Sequence, residues 1–274
     1  MTSSSSILWL ESVDSTNSEA RRRIASIDNL SVLATLNQTN GRGQRGNTWS
    51  STPGENLTFS IVLKFEDGLT HSLQAYDQFA ISQMASLSVL DFLSIHGIEA
   101  AIKWPNDIYV GNRKICGMLI ENSIREQWLS TSIVGIGINV NQKIFPDNVP
   151  NPTSMAIETG SSFQLKPLLD EFLSIFESYR SRYLHINGGL GKLTHLYLSQ
   201  MWRKDVESVF IDYTKIPGGH LSGPVGIINN ENNPLPEASF TGIARGINDK
   251  GELVVEMKDS TIREFGFKEI AWVI

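Results

Sequence analysis

The chain has 274 residues, of which 41% are hydrophobic, and its formal net charge is −6. That length allows one large domain, or one large and one small, and the apolar share allows a sizeable core, so disorder is not expected. The acidic balance argues against an extended nucleic-acid surface, which needs clustered Lys and Arg. The one dense basic run, Arg21-Arg22-Arg23, is interpreted as the solvated face of a helix, with a nucleic-acid patch as the minor alternative.

The cysteine content and the N-terminal residues bear on the cellular compartment. Cys116 is the single cysteine, which excludes an internal disulfide and a cysteine-based zinc site and suits a reducing cytoplasm. The first residues lack the basic and long apolar segments of a signal peptide, and the apolar runs are too short to cross a bilayer. The sequence therefore predicts a cytoplasmic protein without a membrane span.

The first third of the chain alternates strand-like and helix-like segments. Residues 7–13 have the pattern of a short strand. Thr16, followed three residues later by Glu19, predicts a helix N-cap with a capping box. Residues 31–38 predict a strand that leads into a glycine-rich segment, and residues 56–65, rich in β-formers, predict another.

The middle of the chain predicts two long helices and a hairpin. Apolar residues recur at helical spacing over 72–96 and again over 165–184. Between them, a short strand runs up to Pro105, and Gly111-Asn112 marks the turn of a β-hairpin. Residues 131–141 predict a buried strand. Helices and strands of this kind predict a large α+β domain.

The amino-acid composition of the sequence changes after Trp202. Residues 212–238 are rich in Gly, Pro and Asn and are interpreted as a loop. Short strands separated by turn signals follow, which predicts a small β-barrel appended to a larger α+β domain. We place the two domains at 1–204 and 205–274; the short strands of the second cover 240–247, 252–257, 261–267 and 271–274.

The segment NGRGQRGNTW, residues 40–49, contains the spacing G-x-G-x-x-G. A dinucleotide-binding turn needs a helix directly after the glycines, so that the pyrophosphate meets a helix N-terminus. Here a strand follows, so this interpretation fails. What remains is a glycine-rich loop whose backbone N–H groups, with Arg42 and Arg45, suit a carboxylate or phosphate. The alternative is an ordinary surface loop.

A second segment, KWPNDIYVGNRKICG, concentrates polar chemistry around a strand and a hairpin. Lys103 and Lys114 can neutralise phosphates, and Asp107 can hold Mg²⁺, which prefers oxygen ligands and substrate phosphate. The amide of Asn106 both donates and accepts, as reading a purine edge requires. The alternative is an Asn-Asp turn with solvated lysines.

The chain resembles the biotin–protein ligases, which attach biotin to biotin-dependent carboxylases, in three motifs that occur in this order: NGRGQRGNTWSS, KWPNDIYVGNRKICGMLIE and GIGINVN. The resemblance runs from Asp14-Ser15-Thr16-Asn17 to the C-terminal strands. It implies an α+β catalytic domain of the class II synthetase-like biotin/lipoate ligase fold, with a mixed sheet flanked by helices, and a small SH3-like C-terminal β-barrel. It also implies that biotin and ATP form biotinyl-5′-AMP, from which biotin passes to a lysine of a biotin carboxyl carrier protein domain. The alternatives are a lipoate or octanoate ligase or transferase of the same fold and a module that only binds biotin or nucleotide.

The resemblance implies a set of biotin contacts. Ser15, Thr16 and Asn17 match a segment that meets the ureido ring, where N–H groups at a helix start are good donors. Gln44 stands where the family often has a second arginine, so we expect only a weak phosphate contact there. The full set of implied biotin contacts is Ser15, Thr16, Asn17, Gln38, Gly41, Arg42, Gly43, Gln44, Lys114 and Gly117.

The resemblance also implies nucleotide contacts and catalytic roles. Lys114 and Arg42 would meet the carboxylate and phosphate, and Asp107 would orient either Mg²⁺ or the incoming lysine. Trp49 matches a residue that packs near adenine, although a core aromatic is the alternative, and Arg245 could reach toward ATP. ATP and Mg²⁺ act as cosubstrates, without a tightly bound prosthetic group. The implied contacts to ATP or the adenylate are Arg45, Trp49, Lys103, Asn106 and Asn139.

The resemblance bears on partners as well. Some members of the family carry an N-terminal DNA-binding domain and repress transcription. Only 14 residues precede Ser15, so we expect a ligase that does not bind DNA or a membrane. Some members dimerise, and a homodimer therefore stays open.

Overall fold

The computed structural model of the chain describes residues 6–43, 48–65, 73–147, 149–184, 188–216 and 237–274. The α-helices are α1 Thr16–Arg23, α2 Phe79–Ile95, α3 Met155–Thr159, α4 Leu165–Tyr179 and α5 Gly189–Ser199. The strands are β1 Ile7–Val13, β2 Val32–Gln38, β3 Leu57–Lys64, β4 Ala101–Lys103, β5 Asp107–Val110, β6 Arg113–Arg125, β7 Trp128–Ile138, β8 Glu207–Asp212, β9 Ser239–Ile247, β10 Leu253–Met257, β11 Ile262–Phe265 and β12 Ile270–Trp272.

The larger sheet is mixed and carries helices on both faces. Within the described ranges it has seven strands in the order β1-β2-β3-β7-β6-β5-β4. β1 and β2 are parallel and the other pairs are antiparallel. Ala20 of α1 packs against one face, on Val62, while on the other face Phe59 meets Phe172 of α4 edge to face at 5.3 Å. This architecture confirms the predicted α+β class.

Helix α2 is the central helix of the core. The segment Ala75–Ile95 is long and apolar enough to cross a membrane by length and composition, but it is mostly buried inside the fold. Met84 and Phe92 are fully buried, and the helix packs against α4 and α5. Its apolar character is therefore explained by burial within the protein.

The start of α1 differs by one residue from the prediction. Ser15, not Thr16, is the N-cap, with its side chain accepting from a backbone N–H of the first turn. Glu19 does not close a capping box, because its carboxylate pairs with Arg22 and Arg23 at 2.6 and 2.5 Å. The basic run is thus largely neutralised on a solvated helix face, as the sequence indicates.

Several helices and strands of the structure are not predicted from the sequence. Helix α5 has glycine at its first and third positions, Gly189 and Gly191, and glycine is a poor helix former. Helix α3 is a single short turn, and β8 precedes the loop-like region. The predicted helix over 165–184 ends at Tyr179 and continues as one π turn, Arg180–Leu184.

The second sheet is antiparallel. In the described part of the chain it has five strands in the order β11-β10-β9-β8-β12. Phe240 stacks between Phe210, at 5.5 Å, and Phe265, at 5.8 Å, and these rings form the centre of its apolar face. The sheet confirms the predicted small C-terminal β domain, while the boundary at residue 204 stays a prediction.

The β9–β10 turn connects the two sheets. Gly251 in this turn has φ of +80°, and its carbonyl accepts a hydrogen bond of 2.9 Å from Trp104 Nε1. A Cβ at Gly251 would lie 2.5 Å from the ring of Phe79. Phe267 stacks on the same Phe79 ring at 5.5 Å. The second sheet therefore rests on the start of α2 through a contact that has no room for a side chain.

Replacing Gly251 with alanine should lower the free energy of unfolding by about 2–4 kcal/mol, through left-handed backbone strain and overpacking. Denaturant unfolding measures this loss. Gly97→Ala is the matched control, because Gly97 has φ of +75° with nothing within 4 Å of the added Cβ. An equal decrease in the free energy of unfolding of both variants would mean that the close contact with Phe79 does not contribute to the effect.

Candidate active site

A cavity of about 460 Å³ opens above β6 and β7, between α1, the glycine-rich segment and the second sheet. Its wall includes Trp272 of β12 and Phe267, so both sheets contribute. Most side chains singled out in the sequence meet here, although they come from distant segments. Those on the wall are Ser15, Thr16, Asn17, Gln38, Arg42, Gly43, Trp49, Lys103, Asn106, Asp107, Lys114, Gly117 and Asn139.

Two of the described residues proposed from the sequence, Gly41 and Arg245, are not among those on the wall. At Gly41 an added Cβ would meet the carbonyl of Trp49 at 2.2 Å. Gln44 and Arg45 lie outside the described residues. Arg245 is directed elsewhere: it pairs with Asp205 and Glu256 on the second domain, so the prediction that it reaches toward ATP is wrong for this structure.

One end of the cavity is a network of neutral polar groups. Gln38 accepts a 2.9 Å hydrogen bond from the backbone N–H of Thr16. Ser60 Oγ lies 2.6 Å from Asn17 Oδ1 and 2.7 Å from Thr16 Oγ1. Because an amide oxygen only accepts, the single Ser60 proton is donated to Asn17. Asn17 Nδ2 in turn donates to Leu119 O at 3.0 Å, so its amide is fixed in one orientation.

Ser60 is a site residue that the sequence analysis missed. It is fully buried in β3, among apolar neighbours. A serine that interrupts a strand of this kind is the one available sequence signal, because a buried hydroxyl needs a partner. Its partners, however, lie on α1, which the local pattern does not reveal.

Glycines on β6 and β7 let two side chains lie against the sheet. A Cβ at Gly135 would be 2.1 Å from Asn17 Oδ1, and one at Gly137 would be 2.4 Å from the indole of Trp49. The same indole would be 3.2 Å from a Cβ at Gly117. Trp49 is therefore a flat wall of the cavity, and its Nε1 has no hydrogen-bond partner among the described residues.

The other end of the cavity is cationic. Lys114 Nζ lies 2.7 Å from Asp107 Oδ1, with about a third of the lysine side chain exposed. Lys103 is buried, with Nζ 3.3 Å from Tyr109 Oη and 4.9 Å from the centre of that ring. Burial, reinforced by the Asp107 carboxylate, raises the pKa of Tyr109, so the phenol stays neutral. This end therefore combines two cations, Lys103 and Lys114, and one carboxylate, which suits an anion.

Two of the three asparagines on the wall, Asn106 and Asn139, also connect strands and loops. Asn106 Nδ2 donates to Met118 O at 2.5 Å, and Asn139 Nδ2 donates to Thr153 O at 2.9 Å. Each amide is thus held in place by the fold. A contact with adenine would have to use the atoms that these bonds leave available, and it stays a prediction.

A metal ion at Asp107 would need ligands from the substrate as well as from the protein. Among the described residues no group of three or more His, Cys, Asp or Glu is arranged to hold a metal ion. Mg²⁺ bound with a nucleotide takes one or two carboxylates and several phosphate oxygens. Asp107 fits that arrangement only if the substrate supplies the remaining ligands.

Comparison with known proteins agrees with this geometry. Residues 9–139 match the model of the Biotin/lipoate A/B protein ligase family. The Bifunctional ligase/repressor BirA of Bacillus spizizenii is 28% identical over 228 residues, which cover 81% of this chain and 60% of that protein. The Biotin--[acetyl-CoA-carboxylase] ligase of Paracoccus denitrificans is 29% identical over 181 residues, which cover 63% of this chain and 72% of that protein.

A solved structure extends the similarity to the whole chain. The biotin protein ligase from Aquifex aeolicus, in complex with biotin and ATP, superposes with a TM-score of 0.70 at 25% identity, covering 97% of this chain and 98% of that one. The match thus includes the second sheet. Residues 9–139 of the chain are thus similar to the biotin/lipoate A/B protein ligase family, and proteins similar to the chain in sequence and in fold include biotin protein ligases.

Proposed function

We propose that this protein is an ATP-dependent biotin–[biotin carboxyl carrier protein] ligase. The main observation behind the proposal is the distribution of polar groups in the cavity. One end offers neutral hydrogen-bonding groups and the other offers cations, while glycines and the Trp49 indole form a flat wall between them. Biotin has the matching shape, with a ureido ring at one end and a carboxylate at the other. The solved relative in complex with biotin and ATP supports this assignment.

In the first step a carboxylate oxygen of biotin attacks the α-phosphorus of ATP. The bond from that phosphorus to the bridging oxygen breaks, and pyrophosphate leaves with the electron pair. Lys114 neutralises the charge that builds up around the carboxylate and α-phosphate, and Lys103 faces the leaving pyrophosphate. Asp107 would supply one oxygen to Mg²⁺, which when bound neutralises phosphate charge.

In the second step the neutral amine of the acceptor lysine attacks the carbonyl carbon of biotinyl-5′-AMP. The bond to the phosphate oxygen breaks, AMP leaves, and the amine loses a proton. Asp107 lies at the cationic end, where its carboxylate can orient that amine once Mg²⁺ and pyrophosphate have left. The residues thus act mainly by positioning and charge neutralisation.

The polar end favours biotin over lipoate or octanoate. Ser15, Asn17 and Gln38 surround this end with polar groups that the N–H and C=O groups of a ureido ring can meet, whereas a dithiolane or an alkyl chain would offer them only apolar surface. A site built to hydrogen-bond a substrate rejects an analogue without those groups strongly. The lipoate or octanoate alternative is therefore not favoured.

The proposal extends to partner and compartment. The acceptor would be a carrier domain of a biotin-dependent carboxylase, whose lysine enters at the cationic end. Cys116 is free and buried, which fits a reducing cytoplasm. A homodimer stays open, and neither DNA nor a membrane is part of the proposal.

The test is pyrophosphate release from the purified protein with Mg-ATP and biotin, compared with lipoate and octanoate, followed by transfer to a carboxylase carrier domain. We expect release with biotin and biotinylation of the carrier. Release with lipoate instead would move the assignment to the lipoate ligases. If the protein bound biotin without releasing pyrophosphate, it would be a module that only binds biotin.

A further inference from the structure

The strand pairing around Lys114 contains an extra residue that decides which face of the sheet this lysine occupies. In the ladder between β5 and β6, Tyr109 pairs with Lys114, and the residue before Tyr109 pairs with Cys116, so Ile115 is left over as a β-bulge. Without the bulge Ile115 would oppose Tyr109, and Lys114 would lie on the other face. Because of it, Lys114 lies on the cavity wall with Tyr109, while Ile115 is buried in the core.

A short loop segment supports the backbone of Lys114 at this bulge. Strand β7, which pairs with the rest of β6, ends at Ile138 and does not reach Lys114. Residues 151–153 take its place as a parallel bridge. The N–H of Lys114 donates to Asn151 O at 2.8 Å, and the N–H of Thr153 donates to Lys114 O at 2.9 Å. If this segment moved away, Lys114 would lose both backbone hydrogen bonds on that side.

The carboxylate of Glu158 connects the two sides of this bridge from behind the cavity. It accepts from the hydroxyl of Thr153 and from Arg113, whose Nη2 lies 3.0 Å from Oε1. Arg113 directly precedes Lys114, and Thr153 is the residue that donates to Lys114 O. None of Glu158, Arg113 and Thr153 is among the residues on the cavity wall.

The surroundings of Glu158 make its contacts stronger than those of an ordinary surface pair. An exposed ion pair is worth little, since both side chains lose conformational freedom and solvent screens the charges. Only 13% of the Glu158 side chain is exposed, however, and Thr153 is fully buried. A hydroxyl that donates to a carboxylate is a charge-assisted bond, about twice as strong as a neutral one.

We propose that Glu158 is a positioning residue for Lys114, because its carboxylate clamps Arg113 to Thr153 and so keeps the bulged lysine on the cavity face. The inference rests on the proposed function, in which Lys114 is the main catalytic cation. Asp107 holds the ammonium end of Lys114, whereas the clamp holds its backbone. Glu158 itself touches no substrate and acts only through Lys114.

Glu158→Gln removes the charge that pairs with Arg113, while its amide oxygen can still accept from Thr153. At saturating biotin and Mg-ATP we expect pyrophosphate release to slow about tenfold, because misplacing a catalytic group is costly. Glu177→Gln is the matched control. Glu177 also pairs with an arginine, Arg180, at 2.7 Å, but it is not among the residues on the cavity wall. Its rate should stay within about twofold of the wild type.

A double-mutant cycle separates positioning of Lys114 from general support of the fold. In a Lys114→Ala background no ammonium remains to be positioned, so Glu158→Gln should change the residual rate by less than about twofold. A general loosening of the fold would instead lower the rate by the same factor in both backgrounds.

Hydrogen exchange followed by NMR tests the clamp without any activity. The N–H groups of Lys114 and Thr153 should exchange about tenfold faster in Glu158→Gln, because the bridge opens more often. The N–H of Ile136, in the middle of β7, should exchange as in the wild type.

Three outcomes would overturn the proposal: unchanged exchange at Lys114 and Thr153, a rate of Glu158→Gln within twofold of the wild type, or an equal loss of rate with and without the Lys114 side chain. Failure of the proposed function is distinct. The wild-type protein would then release no pyrophosphate with biotin, and the exchange rates would still decide whether Glu158 holds the backbone of Lys114.

Discussion

Replacement of Lys114 with alanine should reduce biotin-dependent pyrophosphate release by about 10²–10³-fold, the usual cost of losing one preorganised donor to a developing charge. Lys114 Nζ stands at the cationic end of the cavity, held by Asp107 at 2.7 Å. Removing it leaves the Asp107 carboxylate facing the anionic substrates, so repulsion adds to the lost attraction. The assay is initial-rate pyrophosphate release at saturating biotin and Mg-ATP.

The control for this variant is Lys204→Ala. Lys204 is similarly exposed and also pairs with an aspartate, Asp205, but it is not among the residues on the cavity wall. Its loss should leave the rate within about twofold, as for a surface substitution. If Lys114→Ala released pyrophosphate as fast as the wild type and only bound biotin more weakly, Lys114 would be a binding residue and not the main catalytic cation.

Gly135→Ala should weaken biotin binding about 10- to 100-fold, which corresponds to the loss of one or two well-made polar contacts. The new Cβ would lie 2.1 Å from Asn17 Oδ1 and 2.8 Å from the carbon that bears it. Asn17 is held by Ser60 and by Leu119 O, so it cannot withdraw without breaking those bonds. Equilibrium titration with biotin measures the effect.

Gly191→Ala is the matched control for this variant. Gly191 lies in α5, and nothing is within 4 Å of an added Cβ, so alanine should stabilise the helix by about 1 kcal/mol and leave biotin binding unchanged. Unaltered biotin affinity in Gly135→Ala would show that the orientation of Asn17 is not needed for recognition. Thermal unfolding of Gly135→Ala, expected to be lowered by overpacking, distinguishes a misfolded protein from a weakened site.

The turn at Gly111-Asn112 and the strands on either side of it were predictable, because glycine and asparagine tolerate the backbone that a tight hairpin needs. The first turn of α1 was placed one residue late, since Ser15 and Thr16 are equally good caps by type. Only the β-region backbone of Ser15 distinguishes them.

The cavity was predictable as a set of residues but not as a geometry. The resemblance to the ligase family identified Lys114, Arg42 and Asn17 as site residues, and these side chains do line one cavity. It did not identify Ser60, which holds Asn17, or Glu121, which contacts both Asn17 and Arg42. The motifs assign no role to such supporting residues, because that role depends on which strands become neighbours.

The sequence by itself determined the type of most elements, the α+β character and the identity of most polar groups at the site, because local periodicity, turn chemistry and motif spacing act over a few residues. Tertiary structure alone decided how those groups are held. Glu121 reaches Asn17 and Arg42 across 104 and 79 residues of sequence. Gly251 meets Trp104 across 147. Contacts over such separations follow from the order of strands in the sheets and from exclusion of water in the core, and no local pattern encodes either.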